Sequence, residues 1–476
     1  GLFVVLGLVV TWAVPRLLGS PAAYGRLTAV TTALAILTNT LTTASHQTVS
    51  KLTSEDEGRA PLTTRRAWLF ALAVGAVAAA LFAAASPLLA GAVFRDPTLA
   101  PLFLVASIVL LGIPLYATGI GVLNGTREFA AQARLDAGFS IARTIGLVGG
   151  AGLGLGALGA VVGYTTSVVV MAAVAVAAVG NGRAGGGPDA RRFLAFFVPI
   201  AAYTLASNGV LQIDIELLKG VTAAMLRAEG HEAIEAATLA DAHVGLYRTA
   251  QSLAFVPYQL SIALTLVVFP LVSRATGTGD VAGARTAVRG ALRFAVLSLV
   301  LCEAPLAGAG ERSIDLLFPA AFVAGADALP ILALAQVLFA LFALACTVLT
   351  GAGRPWHAFG AAILGLIVVV ATTIFGLHAV GPTGAVRVAA ALGALAGALT
   401  GLVVALTLVR RALGPVIPWG TLLRAVLAGG VAYAAARAVP LEGALGAIAS
   451  LGAGALAYLA ALGLLGELGT LRPRRA

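Results

Sequence analysis

Residues 101–123 of the chain read PLFLVASIVLLGIPLYATGIGVL, a run of 23 residues without a charged side chain. An α-helix needs about 20 apolar residues to cross the hydrocarbon core of a bilayer. Similar runs recur along all 476 residues, of which 60% are apolar and only 11% are charged. Soluble domains carry about 25% charged residues, so this chain has too few polar groups to cover a soluble core of its size. The sequence predicts an all-α polytopic membrane protein.

The apolar runs predict fourteen membrane-spanning helices, six before and eight after a glycine-rich break. The predicted spans are 1–15, 25–45, 67–93, 101–123, 135–155, 158–180, 194–218, 244–271, 290–309, 330–350, 357–378, 385–409, 418–439 and 443–465. Alternate loops carry eighteen basic residues on one side and six on the other. Because cytoplasmic loops carry the excess of Arg and Lys, we predict that both termini are cytoplasmic. The same bias explains the net charge of +10 without nucleic-acid binding.

The stretch Asn181 to Pro188 reads NGRAGGGP, and its glycines and proline interrupt helical structure. It separates the first six spans from the rest. The predicted domains are an N-terminal six-helix bundle at 1–180, a cytoplasmic linker at 181–193, a C-terminal six-helix bundle at 194–409, and helices 13 and 14 with a cytoplasmic tail at 410–476.

Short motifs recur at nearly constant spacing on the two sides of this linker. The matching pairs are VSKLT at 49–53 with VSRAT at 272–276, VLNGTR at 122–127 with VLTGAGR at 348–354, and Gly25–Arg26 with Gly245 and Arg248. The offsets are 223, 226 and 220 residues. A shift of six spans preserves orientation, so the repeat predicts two parallel six-helix bundles with a pseudo-twofold axis along the membrane normal, a plan in which substrate binds between the bundles.

The segment RLLGSPAAYG at 16–25 resembles the connection after the first span of polysaccharide exporters. These are Wzx-like oligosaccharide flippases of the multidrug/oligosaccharidyl-lipid/polysaccharide (MOP) superfamily. Further similar segments are QID at 212–214, VGLY at 244–247, FPLVS at 269–273 and LLF at 316–318. The Asp-Gly pair often seen in the second span of the family is absent, and residues 39–45 stand in its place.

The resemblance implies a transporter and no enzyme: it flips or exports an isoprenoid-diphosphate-linked oligosaccharide across the bacterial cytoplasmic (inner) membrane. It also implies coupling to an H⁺ or Na⁺ gradient, without a cofactor or a resident metal. The expected partners are membrane lipid, a polysaccharide polymerase and glycosyltransferases of a pathway such as lipopolysaccharide O-antigen synthesis.

A sugar diphosphate is anionic, so its path through hydrocarbon requires a hydrated cavity lined by cations. Charged residues within spans are costly, and each one suggests a function. Arg26 and Arg248 occupy corresponding places in the repeats, where a guanidinium group suits phosphate; the alternative is that they extend to the lipid headgroups. Arg143 lies about two turns into the fifth span, and Arg16 and Lys51 lie at span ends. We predict these five cations as substrate-binding residues.

Three acidic residues in or near spans are predicted to couple transport to ions. Glu303 lies deepest, about thirteen residues into the ninth span, and Pro305 follows where a kink opens space. Asp214 lies nearer the outer end of the seventh span. Asp136 precedes Arg143 by seven residues on the same helix face, where it either orients Arg143 for phosphate or locks helices in an ion pair. For all three, structural pairing with an arginine is the alternative to ion coupling.

Other functions remain open at this stage. A cation/drug antiporter of the MATE type generally has twelve spans, and a lipid II flippase is a near relative of the first interpretation. An embedded polysaccharide polymerase or ligase is the third, with only His231 and His243 available in the longest predicted outer loop, 219–243.

That loop is interpreted as a solvated connector, with a surface helix from Met225 to Ala242 as the alternative. The GxGxxG motif at 154–159 lies inside an apolar hairpin, which favours helix packing over dinucleotide binding.

Overall fold

The computed structural model describes residues 2–55, 57–277 and 279–467. The chain divides into two compact units, Gly1–Gly245 and Leu246–Ala476, and the boundary lies inside one long helix. The predicted tail beyond residue 467, with its arginines at 472, 474 and 475, lies outside the described residues, as does the first residue of the first predicted span.

Long α-helices make up most of both units. The first unit contains α1 (Leu2–Leu18), α2 (Pro21–Ser54), α3 (Ala60–Leu88), α4 (Ala100–Gly125), α5 (Phe129–Gly152), α6 (Gly156–Val179), α7 (Ala190–Ala228) and the start of α8 (Ala233–Gly277). The second unit contains the rest of α8, α9 (Val281–Gly308), α10 (Gly310–Leu317), α11 (Leu329–Gly351), α12 (Pro355–Val380), α13 (Val386–Leu413), α14 (Trp419–Ala438) and α15 (Gly443–Leu464).

Each of the fourteen predicted spans falls on a different one of these helices, and only the eight-residue α10 was not predicted. Within the described residues, eleven helices are long and apolar enough to cross a membrane; α1, α5, α8 and the short α10 fall outside that group. Polar residues set the starts of several helices, as Ser20 does when its side chain accepts a hydrogen bond from the N–H of Ala23. The prediction of an all-α polytopic membrane protein is confirmed.

The predicted length of the outer loop at 219–243 is wrong. The helix α7 continues to Ala228 and α8 begins at Ala233, so the connection between them is only 229–232. Residues assigned to a surface helix, Met225 to Ala242, instead end α7 and begin α8. Charge is unfavourable in hydrocarbon, which is why the hydropathy pattern placed Lys219 outside a span. In the structure Lys219 pairs with Asp241 on α8, and this pairing allows both helices to continue.

The segment 181–193 joins α6 to α7 within the first unit. Asp189 begins α7 by accepting a hydrogen bond from the N–H of Arg192 at 3.0 Å. Earlier in the segment, the N–H of Arg183 donates to the carbonyl oxygen of Pro61 at 2.8 Å, which holds the loop against the start of α3. The compact units divide at Gly245 and not in this linker. The predicted limits of the six-helix bundles rest on repeat spacing and stay a prediction.

Glycines bring α5 and α6 close together. A Cβ atom on Gly159 would overlap the backbone of Gly150 on the facing helix. Gly154 and Gly156 have φ angles of +75° and +59°, a left-handed conformation that glycine adopts without strain; Gly154 lies in the turn between the helices and Gly156 is the first residue of α6. The GxGxxG motif therefore packs helices, as expected.

The Gly25–Gly245 match of the repeat has a structural counterpart where α2 crosses α8. A Cβ atom on Gly25 would overlap the carbonyl oxygen of Asp241, and one on Gly245 would overlap that of Pro21. Asp241 lies four residues before Gly245, and Pro21 lies four residues before Gly25. The contact is thus reciprocal, as it is between equivalent residues across a local twofold axis, and this supports the equivalence of Gly25 and Gly245.

The last two helices are fastened to the second unit at both ends. At one end, Arg312 on α10 donates to the carbonyl oxygen of Val439, after α14, at 2.7 Å. At the other end, the buried carboxylate of Glu467 pairs with Arg293 on α9 at 2.8 Å and with Arg424 on α14 at 2.7 Å. Between these contacts, α14 and α15 share an apolar cluster with α9. The helices α14 and α15 are integral parts of this unit.

Candidate functional site

Arg26 lies half-buried on α2, next to the crossing at Gly25. Its guanidinium group donates to the carbonyl oxygen of Thr98 at 3.1 Å. Thr98 belongs to the short connection between α3 and α4, which also carries Asp96. Arg26 is close enough to Asp96 to favour its anionic form. The first predicted cation therefore lies among acidic residues, which reduces the charge that it can offer to a phosphate.

Lys219 is the centre of these charges, and its role was missed in the sequence. Its side chain is fully buried, and its ammonium group contacts Asp96 at 3.1 Å and also Asp241. Burial by itself raises the pKa of Asp96, but Lys219, a hydrogen bond from Thr98 and the nearby Arg26 outweigh burial and leave this pKa below its usual value. We call Arg26, Asp96, Lys219 and Asp241 the Lys219 cluster. Its two cations and two anions balance, and it ties α2, α7 and α8 to the α3–α4 connection.

Arg248, the repeat partner of Arg26, has different surroundings. It lies half-buried on α8, and its guanidinium group donates to the side-chain oxygen of Gln251 at 2.6 Å. Among the described residues, no carboxylate lies within ion-pair distance of Arg248. A guanidinium group has five N–H donors, so Arg248 has donors for a further anion and no carboxylate partner among the described residues.

Arg143 and Asp136 share α5 without forming the predicted ion pair. The guanidinium group of Arg143 lies over the ring of Tyr164, 5.9 Å from its centre. Asp136 accepts a hydrogen bond from the hydroxyl of Tyr116 at 2.6 Å. Seven residues are two helical turns, or roughly 10 Å along the axis, whereas paired side chains on a helix lie three or four residues apart. Tyrosines on α4 and α6 take the place of the predicted partner.

Arg16 and Lys51 lie at helix ends, as expected, and both have local contacts. Arg16 donates to the carbonyl oxygen of Trp12 at 2.8 Å and lies 4.5 Å from the centre of its ring. Lys51 is exposed, 3.4 Å from the carboxylate of Glu55.

Glu303 differs from the other two predicted coupling acids in its surroundings. Its side chain is only 2% exposed on α9, and within the described residues neither carboxylate oxygen has a hydrogen-bond partner. Pro305 lies inside the same helix two positions later. Asp214 is fully buried on α7, whereas Asp136 is bound to Tyr116. Glu303 therefore combines deep burial with two open oxygens.

The two histidines considered for catalysis lie on or beside α8. His231 contacts Glu235 at 3.2 Å, one turn along the chain. His243 lies half-buried twelve residues after His231. Across the described ranges, no group of three His, Cys, Asp or Glu residues is placed to hold a metal ion.

Comparison with solved structures identifies the fold. The lipid II flippase MurJ in an inward closed conformation has a TM-score of 0.73 and 16% identity, over 99% of this chain and 98% of that one. An inward-facing multidrug resistance MATE family transporter of the MOP superfamily has a TM-score of 0.63 and 15% identity, over 86% of this chain and 94% of that one. A MOP superfamily transporter from Pyrococcus furiosus has a TM-score of 0.60 and 16% identity, over 87% and 95%.

Sequence comparison identifies the family. No curated protein sequence matches the chain. Residues 13–302, more than half of the chain, match the family described as polysaccharide biosynthesis protein. Together with the fold of the MOP superfamily, this match confirms the resemblance that the RLLGSPAAYG segment suggested. The chain belongs to the family of polysaccharide biosynthesis proteins.

Proposed function

We propose that the chain is a flippase that moves a polyprenyl-diphosphate-linked oligosaccharide across the cytoplasmic membrane by cation-coupled alternating access. The observation that carries this proposal is the extent of the matching fold. The match to the lipid II flippase structure extends over 99% of this chain. The match to the MATE family transporter extends over 86%, and the match to the Pyrococcus furiosus transporter over 87%. Membership in a polysaccharide biosynthesis family favours a glycan-bearing cargo over a free drug.

The last two helices support the same choice. Arg312 and Glu467 bind α14 and α15 to the second unit at both ends. These helices are therefore built into the transporter and are not a loosely attached extension. A twelve-helix drug antiporter has no counterpart for them, so the MATE-type function is the second candidate.

Arg248 is the cation that we assign to the diphosphate of the cargo. It has no carboxylate partner in the described part of the chain, and its planar set of N–H donors fits phosphate oxygens. Arg26 is balanced by the Lys219 cluster and contributes less. Arg143, over Tyr164, is the next candidate.

Glu303 is the acid that we assign to coupling, with H⁺ as the ion and Na⁺ as the alternative. An unpartnered carboxyl group in apolar surroundings is stable as the neutral acid and costly as the anion. It can therefore hold a proton while it is buried and release the proton when water reaches it. Asp214 is the second candidate for this role because it is also fully buried.

The location and partners follow from this proposal. The protein lies in the inner membrane with both termini in the cytoplasm, where glycosyltransferases assemble the cargo, and a polymerase uses the flipped product. Reporter enzymes fused after α6 and after α7 test the orientation, because these helix ends are predicted to lie on opposite sides. Equal reporter activity at both positions would contradict the predicted topology.

Reconstitution into liposomes tests the function of the full-length chain. A fluorescent polyprenyl-diphosphate oligosaccharide, lipid II and a cationic drug are compared as cargo, under a pH gradient and under a Na⁺ gradient. We expect transfer of the oligosaccharide lipid between leaflets, and faster transfer under the pH gradient. Arg227→Gln, an exposed arginine at the end of α7, is the matched control and is expected to retain the wild-type rate. Preferred transfer of lipid II or of the drug would replace the proposal by that alternative.

A further inference from the structure

An apolar groove lies between α4 and α6 on the surface of the first unit. Its volume is about 580 Å³, which is in the range of ligand-binding sites in proteins. The helices approach closely at Gly112, where a Cβ atom would lie 2.8 Å from a methyl group of Val168. Ile108 and Val169, about half-exposed, line the groove on either side. We call this feature the α4–α6 groove.

One end of the α4–α6 groove is polar. Gly180 and Asn181 line it where α6 ends. The next residue, Gly182, lies against the start of α3, where a Cβ atom would come within 2.7 Å of the backbone nitrogen of Arg65. The indole N–H of Trp68 donates to the carbonyl oxygen of Gly180 at 3.0 Å and fixes this end of the helix.

Three exposed arginines belong to the two segments that meet near this end: Arg65 and Arg66 on α3, and Arg183 in the loop next to Gly182. Among the described residues, no carboxylate lies within ion-pair distance of any of them. Three guanidinium groups without acidic partners attract an anion of more than one charge. We call them the basic end of the groove.

We propose that the α4–α6 groove holds the isoprenoid chain of a polyprenyl diphosphate before transfer, with the diphosphate at the basic end, and that the diphosphate reaches Arg248 only during transfer. The walls along α4 and α6 are hydrocarbon, so they favour an apolar chain and offer nothing to a sugar. The basic end then selects a lipid whose headgroup carries several negative charges. This inference rests on the proposed function and assigns a docking position to the lipid part of the cargo.

Photolabelling of the full-length protein in lipid nanodiscs tests the groove without requiring transport. The probe is a polyprenyl diphosphate with a photoreactive group on its chain, and labelled peptides are identified by mass spectrometry. We expect labelling on α4 and α6. Ala173→Trp, an exposed position in the groove, should reduce labelling roughly fivefold by filling the space. Ile145→Trp, at an exposed position on α5, is the matched control and should leave labelling unchanged.

The headgroup is tested in the same assay. Replacing Arg65, Arg66 and Arg183 by Gln, or using an uncharged polyprenol probe, should reduce labelling about tenfold. Equal labelling of the wild type and Ala173→Trp, or equal labelling by the polyprenol, would overturn the proposal. Phosphatidylglycerol and unlabelled polyprenyl diphosphate are then compared as competitors of the probe. If both displace the probe at the same concentration, the groove is a general anionic-lipid site and the proposal is overturned.

The two proposals fail in different ways. If liposomes show no transfer of the oligosaccharide lipid but the groove is labelled selectively, the flippase function is wrong and the lipid site stands. If transfer occurs at the wild-type rate in Ala173→Trp and labelling is unselective, the function stands and the lipid site is wrong.

Discussion

Two buried charges, one in each compact unit, have opposite surroundings. In the first unit, Lys219 is fully buried and pairs with Asp96 and Asp241, and Arg26 completes the balance of two cations and two anions. In the second unit, Glu303 is buried and, within the described residues, has no partner for either oxygen. A balanced cluster is costly to separate, because each ion would be left alone in a poor solvent. A lone acid changes its charge when water or a proton reaches it. The Lys219 cluster therefore stabilises the fold, whereas Glu303 is suited to bind and release a proton.

The same contrast separates Arg26 from its repeat partner Arg248. At the reciprocal glycine crossing, Gly25 meets Asp241, whereas the residue that corresponds to Asp241 in the other repeat is Pro21. The second repeat therefore has the carboxylate of Asp241 four residues before its glycine, whereas the first repeat has the uncharged ring of Pro21 at that position. Equivalent positions in a repeat do not guarantee equivalent electrostatics.

The largest expected effect tests the balanced cluster of the first unit. Lys219→Met leaves two buried carboxylates without their cation and should lower the free energy of unfolding by about 3–5 kcal/mol. Thermal unfolding of the purified protein in detergent measures the change. Lys51→Met is the control, because an exposed ion pair contributes less than about 1 kcal/mol. Adding Asp241→Asn to Lys219→Met should restore part of the lost stability. Equal unfolding temperatures for Lys219→Met and Lys51→Met would contradict the role assigned to the Lys219 cluster.

The second prediction concerns Glu467, which fastens α14 and α15. Glu467→Gln should lower stability by about 1.5–3 kcal/mol through weaker hydrogen bonds to arginine. Burial by itself raises the pKa of Glu467, but hydrogen bonds from Arg424 and Thr421 outweigh burial, and the nearby Arg293 adds to them, so this pKa lies below its usual value of 4.5.

The sign of the pH effect follows from this lowered pKa. The folded state gains stability from ionised Glu467 above about pH 4.5, and this gain is lost as the pH falls through the lowered pKa. Unfolding of the wild type and of Glu467→Gln is compared from about pH 7 to about pH 3. The difference should be largest at neutral pH and vanish in acid. A difference that stays constant over this range would remove the assigned role of the carboxylate.

The third prediction sharpens the contrast between the two arginines. Arg248→Gln should weaken binding of the polyprenyl-diphosphate oligosaccharide about tenfold, which corresponds to the loss of one charge-assisted hydrogen bond. Arg26→Gln should change affinity less than about threefold, because the charge of Arg26 is already balanced in the Lys219 cluster. Fluorescence titration of the lipid in detergent measures both. Arg248→Lys should restore only part of the affinity, and a larger effect at Arg26 would reverse the assignment.

The smallest expected effect on stability belongs to Glu303. Because Glu303 has no hydrogen-bond partner within the described residues, Glu303→Gln should change the free energy of unfolding by less than about 1 kcal/mol. It should nevertheless abolish the acceleration of transport by a pH gradient. Glu311→Gln, an exposed acid on α10, is the control and should keep that acceleration. A gradient response that survives Glu303→Gln transfers the coupling role to Asp214.

The positions of the helices could be predicted because hydrocarbon imposes one length and one chemistry on every span. The run 101–123, for example, falls within α4. The same rule produced the error at 219–243, because a hydropathy pattern treats each charge as if it were alone. Lys219 and its partners lie 22 and 123 residues apart, and no local pattern encodes such pairs. One signal was present: Lys219 is one of only two lysines among 30 basic residues.

The short α7–α8 connection has a consequence for biogenesis. A charged residue entering the bilayer alone costs about 2.5–3.5 kcal/mol at the centre of a helix and less toward its ends. Lys219 and Asp241 lie on opposite arms of one hairpin closed by residues 229–232, so they can neutralise each other while that hairpin leaves the translocon. Asp96, synthesised earlier, is already in place to join them. We expect α7 and α8 to enter the bilayer as a pair.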